Sequence, residues 1–280
     1  MAFLTEPEKK LRVSGKYDVV VVGGGIAGVS AAVAAAREGA KVALLEKENA
    51  LGGLATLGLV VVYLPLCDGF GHKVTGGIAE ELIKLSVKDG NAKIPAAWQS
   101  SGSKEDRLKT RYLVEYNASS LTMELDNIVL KSGVKLMFDT RFCDVIKTGN
   151  RIDAVIIENK EGRSALQCNA VIDASGDADV CARSGEKTVN ICANVVAGWY
   201  SSYGNGKYTM HHVTRIPSVD GMTVPKTTKG RGYSGINADD VTELSVESRK
   251  DIAEHLKKFR TQSNCNEIYP ALLPMIPCFR

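Results

Sequence analysis

The sequence lacks the features that would place this chain in several large classes of protein. Its formal net charge is only +3 over 280 residues, too small a surplus to indicate a nucleic-acid-binding surface. The longest apolar run, Leu57–Leu66, is interrupted by Gly58 and Pro65 and falls far short of the roughly 20 residues of a membrane-spanning helix. Met1–Lys16 carries scattered charges and no apolar stretch, unlike a signal peptide. We therefore expect a cytoplasmic protein without nucleic-acid or membrane partners.

Cysteine and histidine are too scattered along the chain to indicate a metal centre. The seven cysteines form no C-x-x-C pair, and the four histidines supply no closely spaced set of zinc ligands. Without an export signal, we expect reduced thiols that pack mostly as small apolar side chains. The chain is also long enough to bury a sizeable core in one large domain or two small ones. We expect no metal site.

The first half of the chain has the pattern of a parallel α/β fold. Residues 17–22 form a valine-rich run typical of a strand buried on both faces. An alanine-rich helix is predicted over Ile26–Glu38 and a second buried strand over Lys41–Glu46. Strand, turn, helix and strand make one right-handed βαβ unit. Further parallel strands are predicted at Val134–Asp139 and Ala170–Ala174.

Short strands are predicted between the last two of these parallel strands. They cover Phe142–Lys147, Ile152–Glu158 and Arg163–Cys168, and they are joined by two segments of turn residues. We interpret them as a three-strand antiparallel meander. The fold class expected is therefore α/β, a Rossmann-like domain whose parallel sheet carries this meander, followed by part of an α+β domain with a helix near Glu243–Arg260.

A glycine-rich turn directly follows the first strand. Residues Gly23 to Gly28 match G-x-G-x-x-G and open the predicted helix. In such a turn the second glycine lets a pyrophosphate approach the backbone, and the helix dipole favours its charge. Glu46 ends the second strand, near the expected distance for a residue that binds ribose hydroxyls. The pattern predicts a dinucleotide site, against the alternative of a glycine turn that only packs a helix on a strand.

The residues after the second strand resemble another signature, that of FAD-dependent oxidoreductases with two dinucleotide-binding domains. They are Lys47 and the run Leu51-Gly52-Gly53-Leu54-Ala55-Thr56. The meander and the run Val171–Asp177 are also similar to that superfamily, with Ser175 where threonine is usual. The longer stretch Leu51–Leu82 resembles bacterial FAD-dependent oxidoreductases, which are distantly akin to the fumarate reductase and succinate dehydrogenase flavoproteins.

This resemblance implies FAD as the cofactor and suggests which residues bind it. The pyrophosphate lies at the glycine turn, the ribose at Glu46, and the adenine against the backbone of Phe142. Asp177 is interpreted equally well as a helix cap, and no catalytic residue is assigned. The candidate cofactor-binding residues are Gly23, Gly25, Ile26, Ala27, Gly28, Glu46, Lys47, Gly52, Gly53, Leu54, Ala55, Thr56, Phe142, Ala174, Ser175, Gly176 and Asp177.

Four other residues have reactive side chains. We interpret Cys67 as a packed thiol rather than a redox group or a flavin attachment point. We interpret His72 as a surface or hydrogen-bonding residue rather than an acid–base group. His211 and His212 would face opposite sides of a strand, and neither is assigned a role.

The resemblance covers about residues 15–190 and is weak beyond them. It implies the N-terminal portion of a flavoenzyme, with an FAD-binding domain at residues 1–188 and an incomplete substrate domain at residues 189–280. The implied activity transfers a hydride or an electron pair between a small organic substrate and FAD. A second polypeptide or a homo-oligomer is expected to complete the flavin site. Two alternatives stay open: a non-catalytic half that needs a partner chain, and an NAD(P)-dependent dehydrogenase.

Overall fold

The computed structural model describes residues 4, 7–90, 92–189, 196–215, 233–263, 265 and 267–278. The chain divides into two compact units, Met1–Asn49 with Asn127–Thr188, and Ala50–Asp126 with Val189–Arg280. Residues 50–126 group with the C-terminal part of the chain. Among the described residues, no helix combines the length and the apolar character of a membrane span.

Strands and helices alternate along the first half of the chain. The strands are β1 (Arg12–Val22), β2 (Val42–Leu45), β3 (Val62–Tyr63), β4 (Val114–Glu115), β5 (Lys135–Met137), β6 (Arg141–Thr148), β7 (Arg151–Asn159), β8 (Gly162–Asp173), β9 (Val196–Gly204), β10 (Lys207–Arg215) and β11 (Tyr269–Leu272). The α-helices are α1 (Ile26–Arg37), α2 (Ile78–Ser86), α3 (Lys104–Lys109), α4 (Ala118–Lys131), α5 (Asp179–Arg183) and α6 (Ala238–Gln262). Short 3₁₀ helices cover Gly53–Ala55 and Ala96–Trp98.

The first unit is built on a six-stranded sheet in the order β5-β2-β1-β8-β7-β6. The pairs β5–β2, β2–β1 and β1–β8 are parallel, and β6, β7 and β8 form the antiparallel meander. The predicted α/β fold class is confirmed. The prediction of separate strands at Arg163–Cys168 and Ala170–Ala174 is wrong, because β8 is continuous. It pairs along the whole of β1, which begins at Arg12 rather than at Tyr17.

The two faces of β1 are covered by different elements. Val20 and Val22 pack on one face with Val155 and Ile157 of β7 and Leu166 of β8. Successive strand residues point to opposite faces, and α1 contacts β1, β2 and β8. We therefore place α1 on the other face of the parallel strands. Burial on both faces explains why the middle of the sheet reads as a continuous apolar run.

The start of α1 lies very close to the ends of β1 and β8. A Cβ added at Gly28 would overlap the Gly23 carbonyl, and one added at Gly23 would overlap the Ala174 carbonyl. The amide of Ala174 donates to the Val22 carbonyl at 2.9 Å, which ties the two strand ends together. Two of the motif glycines are therefore required by backbone packing within the first unit.

The second unit contains a three-stranded sheet in the order β10-β9-β11. The β9–β10 hairpin turns at Asn205 (φ 53°) and Gly206 (φ 72°), the left-handed pair that a two-residue hairpin turn requires. This hairpin was not predicted from the sequence, although Asn-Gly is a strong signal for one. Tyr200 of β9 forms a buried cluster with Ile252 and Leu256 of α6.

Gly28→Ala is expected to destabilise the protein, whereas Gly25→Ala is not. An alanine normally stabilises a helix relative to glycine, but at position 28 its Cβ overlaps the Gly23 carbonyl. We expect a loss of about 3 kcal/mol, which lowers the melting temperature by roughly 6–12 °C. Calorimetry of the purified variants checks this, and equal melting temperatures for the two would contradict it.

Candidate cofactor site

Gly25 differs from its two motif neighbours, because no described part of the chain requires a glycine there. It is the N-cap of α1, with φ −64° and ψ 177°, a conformation open to any residue. Among the residues that the structure describes, a Cβ added at Gly25 would meet no atom within 4 Å. The first amides of a helix have no partner within the helix and favour an anion. The open space therefore lies where a pyrophosphate would approach, and the residues present fit that group.

Glu46 places its carboxylate against the glycine turn. The side chain is 8% exposed, with Oε2 accepting from the Gly24 amide at 2.7 Å and Oε1 from the Glu48 amide at 2.9 Å. Its backbone is held between β5 and β6, donating to the Met137 carbonyl and accepting from the Thr140 amide, each at 3.0 Å. Glu46 and the glycine turn, which are both predicted to bind the dinucleotide, are therefore in direct contact. Lys47, next to Glu46, is exposed.

Phe142 belongs to β6, which lies at the edge of the sheet. Phe142 pairs with Ile157 of β7, and the next residue, Cys143, interrupts the regular pairing of β6 with β7. Its half-buried ring packs against the core of the first unit. Because Thr140 contacts the Glu46 backbone, the start of β6 lies close to the end of β2.

The turn between β8 and α5 contains the candidates Ala174 to Asp177. Ser175 Oγ accepts from the Asp179 amide at 2.9 Å and donates to Asp173 Oδ1 at 2.6 Å. Ala178 occupies the N-cap position of α5, so the interpretation of Asp177 as the helix cap is wrong. Through the Ala174 amide, this turn lies directly beside the glycine turn.

Asp173 had no role in the sequence analysis, yet it organises this turn. Besides the Ser175 hydroxyl, its carboxylate accepts from the amides of Ser175 at 3.1 Å and Cys181 at 3.0 Å. Partial burial alone would raise the pKa of Asp173, but the hydrogen bonds from Ser175 and Cys181 outweigh burial and lower it. A carboxylate at the end of a strand is common, so no motif could have identified it.

The second signature lies in the second unit and forms a compact loop. Gly52 (φ 103°) and Gly53 (φ 53°) are both left-handed and lead into the 3₁₀ helix Gly53–Ala55. The buried Thr56 hydroxyl donates to the Leu51 carbonyl, which closes the loop on itself. The glycine pair is therefore explained by the backbone conformation of the loop.

Tyr116 holds this loop from a distant part of the sequence. Its hydroxyl lies 2.9 Å from the carbonyl oxygens of both Ala55 and Val60, so that its single hydrogen can be donated to either of them. Burial, and to a lesser extent the Tyr63 phenol, raise the pKa of Tyr116, so the hydroxyl stays protonated as a donor. Tyr116 was not predicted from the sequence, because a contact across so many residues leaves no local pattern.

The other reactive side chains have structural partners. Cys67 Sγ accepts from the Tyr112 amide at 3.3 Å. His72 is 60% exposed, with Nδ1 2.8 Å from Asp68. His211 is buried with Nε2 2.8 Å from Ser202 Oγ, and His212 is exposed. Burial, with a contribution from His255, lowers the pKa of His211. Within the described ranges, no group of His, Cys, Asp and Glu side chains has the arrangement of a metal site.

Several solved structures are similar to this chain. A geranylgeranyl bacteriochlorophyll reductase-like protein from Thermoplasma acidophilum matches at 19% identity and TM-score 0.47, over 67% of this chain and 47% of its own. L-proline dehydrogenase from P. horikoshii matches at 15% identity and TM-score 0.47, over 67% and 60%. A myxobacterial FAD-dependent chondrochloren halogenase matches at 23% identity and TM-score 0.44, over 73% and 46%. The chain thus spans about half the length of the structures it matches.

The sequence model of one protein family, described as FAD dependent oxidoreductase, matches residues 18–190. This region includes the glycine turn, Glu46, the Gly52–Gly53 pair and the turn after β8. The match covers more than half of the chain. The chain therefore belongs to the FAD dependent oxidoreductase family, and its cofactor is FAD.

Proposed function

We propose that this chain binds FAD at the glycine turn and that the FAD-bound protein transfers a hydride or an electron pair between a small organic substrate and the flavin. The observation that carries the proposal is the open space at Gly25, where packing does not require a glycine. When bound, FAD supplies the redox chemistry, and the protein binds and orients it. Glycine at this position leaves room for a group from outside the chain.

The first unit supplies the proposed contacts with the adenosine and the pyrophosphate. The amides of Ile26, Ala27 and Gly28 begin α1 and are proposed to face the pyrophosphate. Each oxygen of Glu46 accepts one backbone hydrogen bond, and a carboxylate oxygen has a further lone pair for a ribose hydroxyl. Lys47 is proposed to lie beside the adenosine, whereas Phe142 would offer its backbone to the adenine.

Two loops are proposed to hold the rest of the dinucleotide. Gly52 to Thr56, with Leu54 and Ala55 between them, would continue along the phosphates towards the flavin. Ala174, Ser175, Gly176 and Asp177 would close over the dinucleotide beside the glycine turn. The first loop is shaped by Tyr116 and the second by Asp173.

The substrate domain, the partner and the location stay predictions from the sequence. We propose residues 1–188 as the FAD-binding part and residues 189–280 as part of a substrate domain. A second polypeptide or a second copy of the chain is proposed to complete the flavin site, and the cytoplasm is the proposed location. Native mass spectrometry of the purified protein distinguishes a bound second polypeptide, a homo-oligomer and a monomer.

Gly25→Val is expected to abolish FAD retention without unfolding the chain. The valine side chain would occupy the open space proposed for the pyrophosphate, and it would meet no protein atom at its Cβ. The wild-type protein should show absorbance bands near roughly 375 and 450 nm that heating releases, as bound flavin does. Ala34→Val, on the exposed side of α1, is the matched control and should keep the flavin. Equal flavin content in both variants would contradict the proposal.

Tyr116→Phe is expected to weaken FAD binding several-fold, by about 1 kcal/mol for one lost hydrogen bond. The change removes the donor that holds Ala55 and Val60 and so loosens the loop from Gly52 to Thr56. Tyr63→Phe is the matched control, because that hydroxyl also donates to one carbonyl, at Ala79. Burial and the Tyr112 phenol raise the pKa of Tyr63 to about 12, so it is likewise a neutral donor. Fluorescence titration with FAD measures both, and equal effects would count against a role for the loop.

A further inference from the structure

Asp173 joins the end of β8 to the start of α5 through one carboxylate. Oδ1 accepts from the amide and the hydroxyl of Ser175, and Oδ2 accepts from the amide of Cys181. The Ser175 hydroxyl in turn accepts from the Asp179 amide. The positions of both ends of the turn therefore depend on this side chain.

The turn that Asp173 holds lies against the glycine turn. The Ala174 amide donates to Val22, and the Ala174 carbonyl lies where a side chain on Gly23 would be. Ends of neighbouring parallel strands form the edge at which ligands bind in sheets of this kind. The turn therefore lies at the same edge of the sheet as the glycine turn.

Capping of α5 accounts for only half of these contacts. Of the four donors on Asp173, the amide and the thiol of Cys181 belong to the helix. The amide and hydroxyl of Ser175 lie outside it, in the turn itself. The two bonds from Ser175 therefore shape the turn rather than stabilise the helix.

We propose that Asp173 is a positioning residue for FAD binding. It fixes residues 174–176 against the glycine turn and thereby aligns the backbone that meets the dinucleotide, without touching FAD itself. This inference rests on the proposed function of the chain. An asparagine at this position would keep one acceptor oxygen and present an NH₂ group where Oδ2 accepts the Cys181 amide.

Asp18 offers a matched control in the same sheet. Its carboxylate also joins neighbouring segments, with Oδ2 accepting from the Lys41 amide at 2.8 Å and Oδ1 from Asn169 Nδ2 at 3.1 Å. It lies on β1 about 17 Å along the strand from the glycine turn. Removing its charge tests a similar structural contact away from the proposed site.

The experiment compares Asp173→Asn with Asp18→Asn in the full chain. The FAD dissociation constant is measured by fluorescence titration, the melting temperature of the flavin-free protein by calorimetry, and the flavin environment by visible circular dichroism. Asp173→Asn should weaken FAD binding about tenfold or more and alter the dichroism of any flavin that it retains. Asp18→Asn should change the affinity less than about twofold, even where it lowers the melting temperature as much.

Ser175→Ala provides a second variant that does not depend on the folding of Asp173→Asn. It removes the hydroxyl that bonds to Asp173 and should weaken FAD binding. Wild-type affinity in both Asp173→Asn and Ser175→Ala, or an equal loss in Asp18→Asn, would overturn the positioning role. Failure of the wild-type chain to bind FAD would instead overturn the proposed function, so the two failures are distinguishable.

Discussion

Three backbone segments of the first unit approach so closely that two positions exclude any side chain. A Cβ at position 28 would overlap the Gly23 carbonyl, and a Cβ at position 23 would overlap the Ala174 carbonyl. This contact can form only because β1 lies between β2 and β8, all three parallel. The same order brings the end of β2, with Glu46, to the edge where α1 begins. The proposed FAD contacts at the glycine turn, at Glu46 and at the turn after β8 follow from this packing.

The glycine motif therefore combines two separate requirements. Gly23 and Gly28 allow the helix and strands to approach, and their replacement would affect the fold whether or not a ligand is bound. Gly25 has an ordinary conformation and open space beside it, so its replacement would affect only what enters from outside. Sequence patterns give the three glycines equal weight. Only the surroundings of each one separate a folding role from a binding role.

Local patterns predicted the parts of this fold that depend on local interactions. The buried valines of β1 and the alanine-rich α1 were predicted correctly, because burial on both faces leaves a continuous apolar run. The polar start of β1 was missed, because it pairs with the first half of β8, which lies far away in the sequence. Tyr116 and Asp173 were missed for a related reason. Tyr116 bonds to backbone carbonyls and Asp173 largely to backbone amides, and bonds to the backbone place little constraint on the residue types they hold.

Tyr116 holds one of the two proposed FAD-binding loops and Asp173 holds the other, but these two side chains differ in their response to acid. The Tyr116 hydroxyl has a raised pKa and stays neutral as the pH falls. Asp173 has a pKa below its ordinary value of 3.8, so its hydrogen bonds contribute stability that is present above that value. This stability is lost as the pH falls through the lowered pKa, when the carboxyl is protonated and loses acceptor capacity. Acid should therefore release the turn that Asp173 holds beside the glycine motif. The loop held by Tyr116 should keep its hydrogen-bond donor at the same pH.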